Sequence, residues 1–240
     1  MRTLWLVAPL LLLCPLAQTA PAGLPPPLKD PPPSEFEQGM MVRFHMHENY
    51  GLVRTIEKRI LKGNLKDATE LASAIAQAPA EPALNSFATQ AAEVRKRAQE
   101  LSLATNLDQA ARREAALAAS CAGCHDAANV VPDVGVAPAA PPERDTIESR
   151  MARHAWAADR LWDGIMANDD GAWTAGLDVL AAPTPVWSKM SSAKQGIARK
   201  LQQTAETERR VKNTQLGKRT TAYGEMLVLC AGCHTDPHQQ

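Results

Sequence analysis

Residues 41–60, MVRFHMHENYGLVRTIEKRI, and residues 146–165, TIESRMARHAWAADRLWDGI, align with each other at an offset of 105 positions. Matched positions along the two stretches, which we call the seam of each helix, recur at alternating steps of four and three residues. Such steps place one face of a helix against its neighbours at a shallow angle, as in helix bundles. The repeat therefore predicts two similar helical units. The matched pairs are Val42 with Ile147, Met46 with Met151, Asn49 with His154, Val53 with Ala158, Ile56 with Leu161, and Ile60 with Ile165.

The composition also favours helices. Only 4% of the residues are aromatic and Ala is abundant, whereas strands are built from aromatic and β-branched residues. We expect an all-α fold of two tandem four-helix bundles. The predicted turns after the first helices are Gly63–Asn64 and Asn168–Asp169, the second helices cover 65–77 and 171–181, the third helices cover 83–104 and 186–207, and the fourth begin near Asn106 and Glu208.

The N-terminus, residues 1–22, has the pattern of a signal peptide. Arg2 precedes an apolar run over residues 4–17, and small residues then permit cleavage after Ala20 or Ala22. The run is shorter than the roughly 20 residues of a membrane span and contains two prolines, so we expect no transmembrane segment. The mature chain is therefore predicted to be exported to the periplasm.

A lipid anchor is not expected at Cys14. Lipid attachment signals place a small residue before the modified cysteine, whereas Leu13 precedes this one. The prediction for this part of the chain is therefore a cleaved leader without a lipoprotein anchor.

The most informative motif is the pentapeptide CAGCH, which occurs at residues 121–125 and again at residues 230–234. It contains every cysteine of the chain except Cys14. In an exported protein, CxxCH is the signature of covalent haem attachment. Positions i, i+3 and i+4 share one face of a helix, so two thiols can bond the porphyrin while the imidazole faces its iron. The sequence predicts two haem c groups. Their covalent sites are Cys121, Cys124, Cys230 and Cys233, and their proximal iron ligands are His125 and His234.

Two other uses of paired cysteines fit less well. Zinc ribbons bring together pairs that are about 12 to 20 residues apart, whereas these pairs are separated by 109 positions. A thioredoxin-like dithiol would accompany a βαβ pattern, which is absent here. A disulfide within each pair would leave the two histidines unexplained.

Proline-rich segments divide the chain so that each unit ends in one motif. The predicted organisation is a tether at 23–38, the first haem domain at 39–129, a Pro/Ala-rich linker at 130–142, the second haem domain at 143–236 and a tail at 237–240.

Candidates for the sixth iron ligand lie on the seams. Met46 and Met151 occupy equivalent positions, and His154 lies one step further along the second seam. A seam Met most often fills a core, but a neighbouring haem makes ligation an equal alternative. An inward His otherwise needs a buried hydrogen-bond partner, which strengthens His154 as a candidate. His45 and His47 flank the first seam and could reach a haem edge, but both are expected at the solvated surface.

A helical bundle with CxxCH at the end of its last helix resembles the class II cytochromes c, the group that contains cytochrome c prime. The MHENY segment at residues 46–50 also resembles the opening of related bundle cytochromes. The resemblance implies a haem inside each bundle and a sixth position that faces the first helix. That position holds a first-helix Met in low-spin members and is empty in the prime type.

The function predicted from these features is that of an exported dihaem cytochrome, which passes single electrons between redox partner proteins. The alternative is a gas binder with at least one five-coordinate haem open to nitric oxide or carbon monoxide. Peroxidase-like turnover ranks last, because no distal acid–base pair is evident. A net charge of zero argues against nucleic acid as a partner, and no nucleophilic group accompanies the motifs, so an enzyme is not predicted.

Overall fold

The computed structural model describes residues 34–132, 137–183, 188, 190–211 and 215–235. The predicted signal peptide and the tail lie outside this part, as does most of the tether. The described residues include α-helices and the short 3-10 helix Pro82–Phe87, and none of them lies in a strand, which confirms the all-α class. The α-helices are α1 (Glu35–Leu61), α2 (Leu65–Gln77), α3 (Ala88–Ser102), α4 (Leu107–Ala127), α5 (Ile147–Met166), α6 (Asp170–Ala181), α7 (Ser192–Val211) and α8 (Leu216–His234).

Helix α1 begins with a capping box. The backbone N–H of Glu37 donates to Ser34 Oγ at 3.3 Å, and the N–H of Ser34 donates to the Glu37 carboxylate at 2.7 Å. These bonds satisfy backbone donors that a helix start otherwise leaves unpaired. Residues 35–38, which the sequence placed in the tether, are consequently helical.

The turns after the two seam helices match at the predicted places. Gly63 has φ of +74° and Asn168 has φ of +50°, and these two positions are related by the same offset of 105. Both lie in the left-handed region, which Gly and Asn adopt most easily after a helix. The repeat therefore extends from the seams into the turns.

Three helix starts differ from the prediction. The third helix of the second half was expected from residue 186, but α7 begins at Ser192, where the Ser191 hydroxyl accepts a hydrogen bond from the N–H of Lys194. The third helix of the first half was expected from residue 83, but Pro82–Phe87 form the 3-10 helix and α3 follows at Ala88. Glu81 caps this segment through its carboxylate, and Pro82 favours such a tight start. The fourth helix of the second half was expected near Glu208, which instead lies within α7, because neither Gly nor Pro interrupts residues 197–211.

Within each half the four α-helices pack against one another, and the two halves also share one hydrophobic core. Consecutive helices contact one another, and the first helix of each half also contacts the last. Between the halves, α4 packs along α8, with further contacts of α4 with α5 and of α1 with α8. A continuous buried cluster includes Ile56 and Leu117 from the first half together with Leu161 and Met226 from the second.

The two motif-bearing helices approach closely at Gly224 of α8. A Cβ atom at Gly224 would lie 3.2 Å from the Cα of Arg112 and 3.5 Å from the Cβ of Ala115, both in α4. Arg112 also forms an ion pair with Glu225 across this contact. The helices that carry the two CAGCH motifs are thus held side by side.

The segment predicted as a linker lies against α5. Trp156 Nε1 donates to the carbonyl of Pro138 at 2.8 Å, and Arg153 donates to the carbonyl of Pro141 at 2.7 Å. Because these bonds are made by backbone carbonyls, they do not depend on the side chains of the linker. The described part of the linker is therefore fastened to the second seam helix.

Helix α6 packs on α5 through Gly164, which leads to a stability prediction. A Cβ at Gly164 would lie 2.8 Å from the Cβ and 2.9 Å from the Cα of Trp173. We expect Gly164→Ala to lower the free energy of unfolding by about 1–3 kcal/mol, because overpacking against backbone cannot be relieved by a rotamer change. Urea unfolding measures this change in the free energy of unfolding.

The control is Gly196→Ala, at an open position on α7 where helix propensity should add up to about 1 kcal/mol to the free energy of unfolding. Equal unfolding midpoints for Gly164→Ala and the parent would contradict the prediction.

Candidate functional site

The first motif lines a cleft of about 570 Å³, a volume that includes its opening to solvent. Helix α4 contributes the motif side chains, and α1 contributes seam side chains to the same cleft. The remaining wall comes from α2, α3 and the 3-10 helix and is mostly apolar. The lining residues are His45, Met46, Asn49, Ile75, Ala78, Pro79, Leu84, Ala91, Val94, Arg95, Cys121, Cys124 and His125.

The second motif lines a separate cleft of about 600 Å³ with the same construction. Helix α8 contributes the motif, α5 contributes the seam, and α7 supplies much of the apolar wall. The lining residues are Leu61, Met151, His154, Ala155, Ala158, Ile197, Ala198, Leu201, Leu229, Cys230, Cys233 and His234.

Each cleft therefore brings together the residues that the sequence singled out. Met46 lies in the first cleft with the motif of α4, and Met151 and His154 lie in the second with the motif of α8. The two motifs do not share one site, so the arrangement differs from a zinc ribbon, in which two pairs meet at one ion.

The position of His45 differs from the sequence prediction. The sequence placed it at the solvated surface, but it is partly buried and lines the first cleft. The Asn49 Nδ2 atom lies 2.8 Å from His45 Nε2, so the amide donates to this ring nitrogen. The spacing of four residues on one helix was the available signal, since positions i and i+4 are neighbours. His47, by contrast, is exposed as expected.

Leu61 was not predicted as a site residue. It is the last residue of α1, in the first half of the chain, yet it lines the second cleft. Just beyond it, Gly63 packs against Thr235, the residue that follows the second motif, so closely that a Cβ at Gly63 would overlap the Thr235 side chain. The second cleft is therefore completed by the first half.

No disulfide joins the four motif cysteines. Burial raises the pKa of Cys121 and that of Cys230 to about 12. Burial also raises the pKa of Cys124 and Cys233. Burial in the folded clefts thus favours the neutral thiol form of all four cysteines.

The imidazoles of the second cleft are held in their neutral form. Burial, followed by the positive charge of Arg150, lowers the pKa of His154 to about 3, and His234 and Arg153 act in the same direction. Burial, followed by Lys194, also lowers the pKa of His234. Neutral imidazole is the state that ligates metals, so both side chains are suited to bind one.

His125 of the first cleft has a polar atom without a partner. Its Nδ1 atom is buried and makes no hydrogen bond within the described part of the chain. Metal-bound histidines usually donate through the second ring nitrogen to a carbonyl, a carboxylate or water. This nitrogen is thus open to such a second-shell contact when the other one binds a metal.

No described helix combines the length and apolar character needed to cross a bilayer. Comparison with known protein families, with curated proteins and with solved structures found no significant match to this chain. The chemistry of the two clefts is therefore what indicates the function of this chain.

Proposed function

We propose that this chain is an exported dihaem c-type cytochrome that carries single electrons between redox partner proteins. The observation that supports it most directly is the shared construction of the two clefts. In each cleft, two thiols and an imidazole on the last helix of a half face the seam of its first helix across an apolar space.

The residues present fit haem c. Cys121 and Cys124 would bond one porphyrin through thioethers, with His125 as the proximal ligand of its iron. Cys230, Cys233 and His234 would hold the second in the same way. A bound haem supplies an iron that changes oxidation state by one electron.

The chain's own residues would control that electron. The apolar walls would keep water away from the haem, and they offer few polar groups to stabilise the changed charge of the iron. Such burial is one of the factors that set the reduction potential of a haem. Fixed helices keep the ligand geometry nearly constant between oxidation states. Neither task requires an acid–base or nucleophilic group, which agrees with a carrier rather than an enzyme.

The proposal also covers the arrangement of the helices in each half. We interpret each half as a four-helix bundle of the class II type, because consecutive helices contact one another and the first contacts the last. Export to the periplasm rests on the leader pattern of residues 1–22. The periplasm is also compatible with protein partners that donate and accept electrons.

Gas binding is a second candidate function, and it concerns the first cleft. Asn49 stands where the second cleft has His154, and its amide donates to His45 Nε2. That hydrogen bond occupies the lone pair with which His45 would bind iron. If Met46 does not bind either, the first iron is five-coordinate and open to nitric oxide or carbon monoxide.

The proposal is tested on the holoprotein isolated from a host that attaches haem c. We expect two haems per chain to remain bound after denaturation, because thioethers survive unfolding. Haem staining of denaturing gels and intact mass measure this. Iron analysis should give two atoms per chain, and electron paramagnetic resonance then counts low-spin and high-spin irons. A denatured chain without haem, or one that contains zinc instead of iron, would refute the assignment.

A further inference from the structure

A buried polar cluster lies where α1, α4 and α8 meet. It consists of Glu57 of α1, Glu114 of α4 and Tyr223 of α8, whose exposed fractions are 1%, 0% and 1%. The Tyr223 hydroxyl donates to Glu57 Oε1, and Arg54 donates to Glu57 Oε2. Buried carboxyl groups are uncommon unless they are paired, so two of them at one junction require an explanation.

The cluster has the same relation to both motifs. Glu114 precedes Cys121 by seven residues on α4, and Tyr223 precedes Cys230 by seven residues on α8. Seven residues span two helical turns, roughly 10 Å along the axis, and place the two side chains of each pair on the same face. The field of the cluster reaches both clefts, because the charge of Glu114 raises the pKa of Cys121 and that of Glu57 raises the pKa of Cys230.

The two carboxyl groups differ in their hydrogen bonds. Glu57 accepts from a hydroxyl and a guanidinium, which stabilise its ionised form. Both oxygens of Glu114 are buried and have no hydrogen-bond partner within the described residues. A buried carboxylate without donors costs several kcal/mol, so such a group retains its proton instead. Glu57 is therefore the more readily ionised group of the pair, and Glu114 ionises only when a further positive charge lies nearby.

The charged surroundings support this assignment. Burial and then the charge of Glu57 raise the pKa of Glu114 well above its usual value, while Arg54 lowers it. Burial also raises the pKa of Glu57, but Arg54 and then Tyr223 oppose that shift. From α5, Asp159 forms an ion pair with Arg54, and its side chain is 55% exposed. The cluster thus extends from the buried acid towards solvent.

We propose that Glu114 is a redox-linked proton site shared by the two clefts, an inference that rests on the proposed cytochrome function. A haem bound in either cleft would lose one positive charge when a donor protein reduces it by one electron. The Glu114 carboxylate then takes one proton from solvent and becomes a carboxylic acid. When an acceptor removes the electron, Glu114 releases that proton.

The first measurement is the midpoint potential of the holoprotein as a function of pH. In the parent protein the potential should fall with rising pH over a range above the usual pKa of a glutamic acid, by at most about 59 mV per pH unit, the equivalent of a tenfold change for one electron. Glu114→Gln removes the titrating proton with little change in shape, so its potential should vary less with pH. The control, Glu70→Gln, removes a carboxylate that is 61% exposed on α2 and should retain the dependence of the parent.

The second measurement is an infrared difference spectrum, and its first part uses the parent protein alone. Reduced-minus-oxidised infrared spectra of the parent protein should contain a carboxylic acid band that shifts in heavy water. The same band should be missing in Glu114→Gln and present in Glu70→Gln. This arm keeps the inference testable if the Gln variant does not fold.

The inference is overturned by an unchanged pH dependence in folded Glu114→Gln, or by the absence of the carboxylic acid band from the parent. The covalent haem count is measured first, so the two proposals fail separately. A chain without haem has no potential to titrate and refutes the cytochrome function. A chain with two haems and an unaffected pH dependence refutes only the role of Glu114.

Discussion

Replacing Cys121 and Cys124 together by Ala is expected to remove half of the covalently bound haem. The two motifs line separate clefts, so the second attachment site should be unaffected. Replacing Cys230 and Cys233 should remove the other half. Haem staining of the denatured chain and its intact mass measure both losses.

The matched control is Cys14→Ala, which changes a cysteine that belongs to neither motif. Its mature product should retain both haems. Retention of two haems after loss of Cys121 and Cys124 would exclude attachment at the first motif. The two single-haem proteins also separate the spectra of the two irons, on which the next prediction depends.

Replacing His154 by Ala is expected to change the second iron from low-spin to high-spin and to open it to carbon monoxide. His154 lies in the same cleft as His234, and burial and Arg150 keep its imidazole neutral by lowering its pKa to about 3. A second imidazole ligand favours the ferric state more than a thioether does. The potential of the second haem should therefore rise in the variant.

Electron paramagnetic resonance, carbon monoxide titration and redox titration of the protein that retains only the second haem measure this effect. The control is Asn49→Ala, which alters the matched seam position in the other cleft and should leave the second haem unchanged. An unaltered second haem in His154→Ala would reduce His154 to a wall residue, with Met151 or an open position as the remaining possibilities. With Met46 bound in the first cleft, electrons should pass from the second haem to the first.

Local patterns predicted much of the fold. The seam spacing and the left-handed turns at Gly63 and Asn168 identified the opening helices and where they end. The same pattern placed Met46 and His154 on the faces that line the clefts. These features were readable because helical periodicity, capping and CxxCH spacing are determined within a few neighbouring residues.

Contacts between segments that are distant in the sequence could not be predicted from these local patterns. Leu61 reaches the second cleft only because the two halves pack together, and Glu57 meets Tyr223 across 166 positions of sequence. The available signals were weak: Glu57 lies beside the seam residue Ile56, and Glu114 lies within an Ala-rich run. A charged residue in either place is more often solvated, so only the packing identifies these two as buried.

The contact of Gly63 with Thr235 makes the second cleft sensitive to substitutions in the first half. A side chain added at Gly63 would collide with the end of α8 directly behind the second motif, and a smaller residue at Leu61 would enlarge the second cleft. Substitutions that are neutral for the first cleft can thus impair its counterpart. Residues 143–236 expressed alone would therefore lack one wall of their own site.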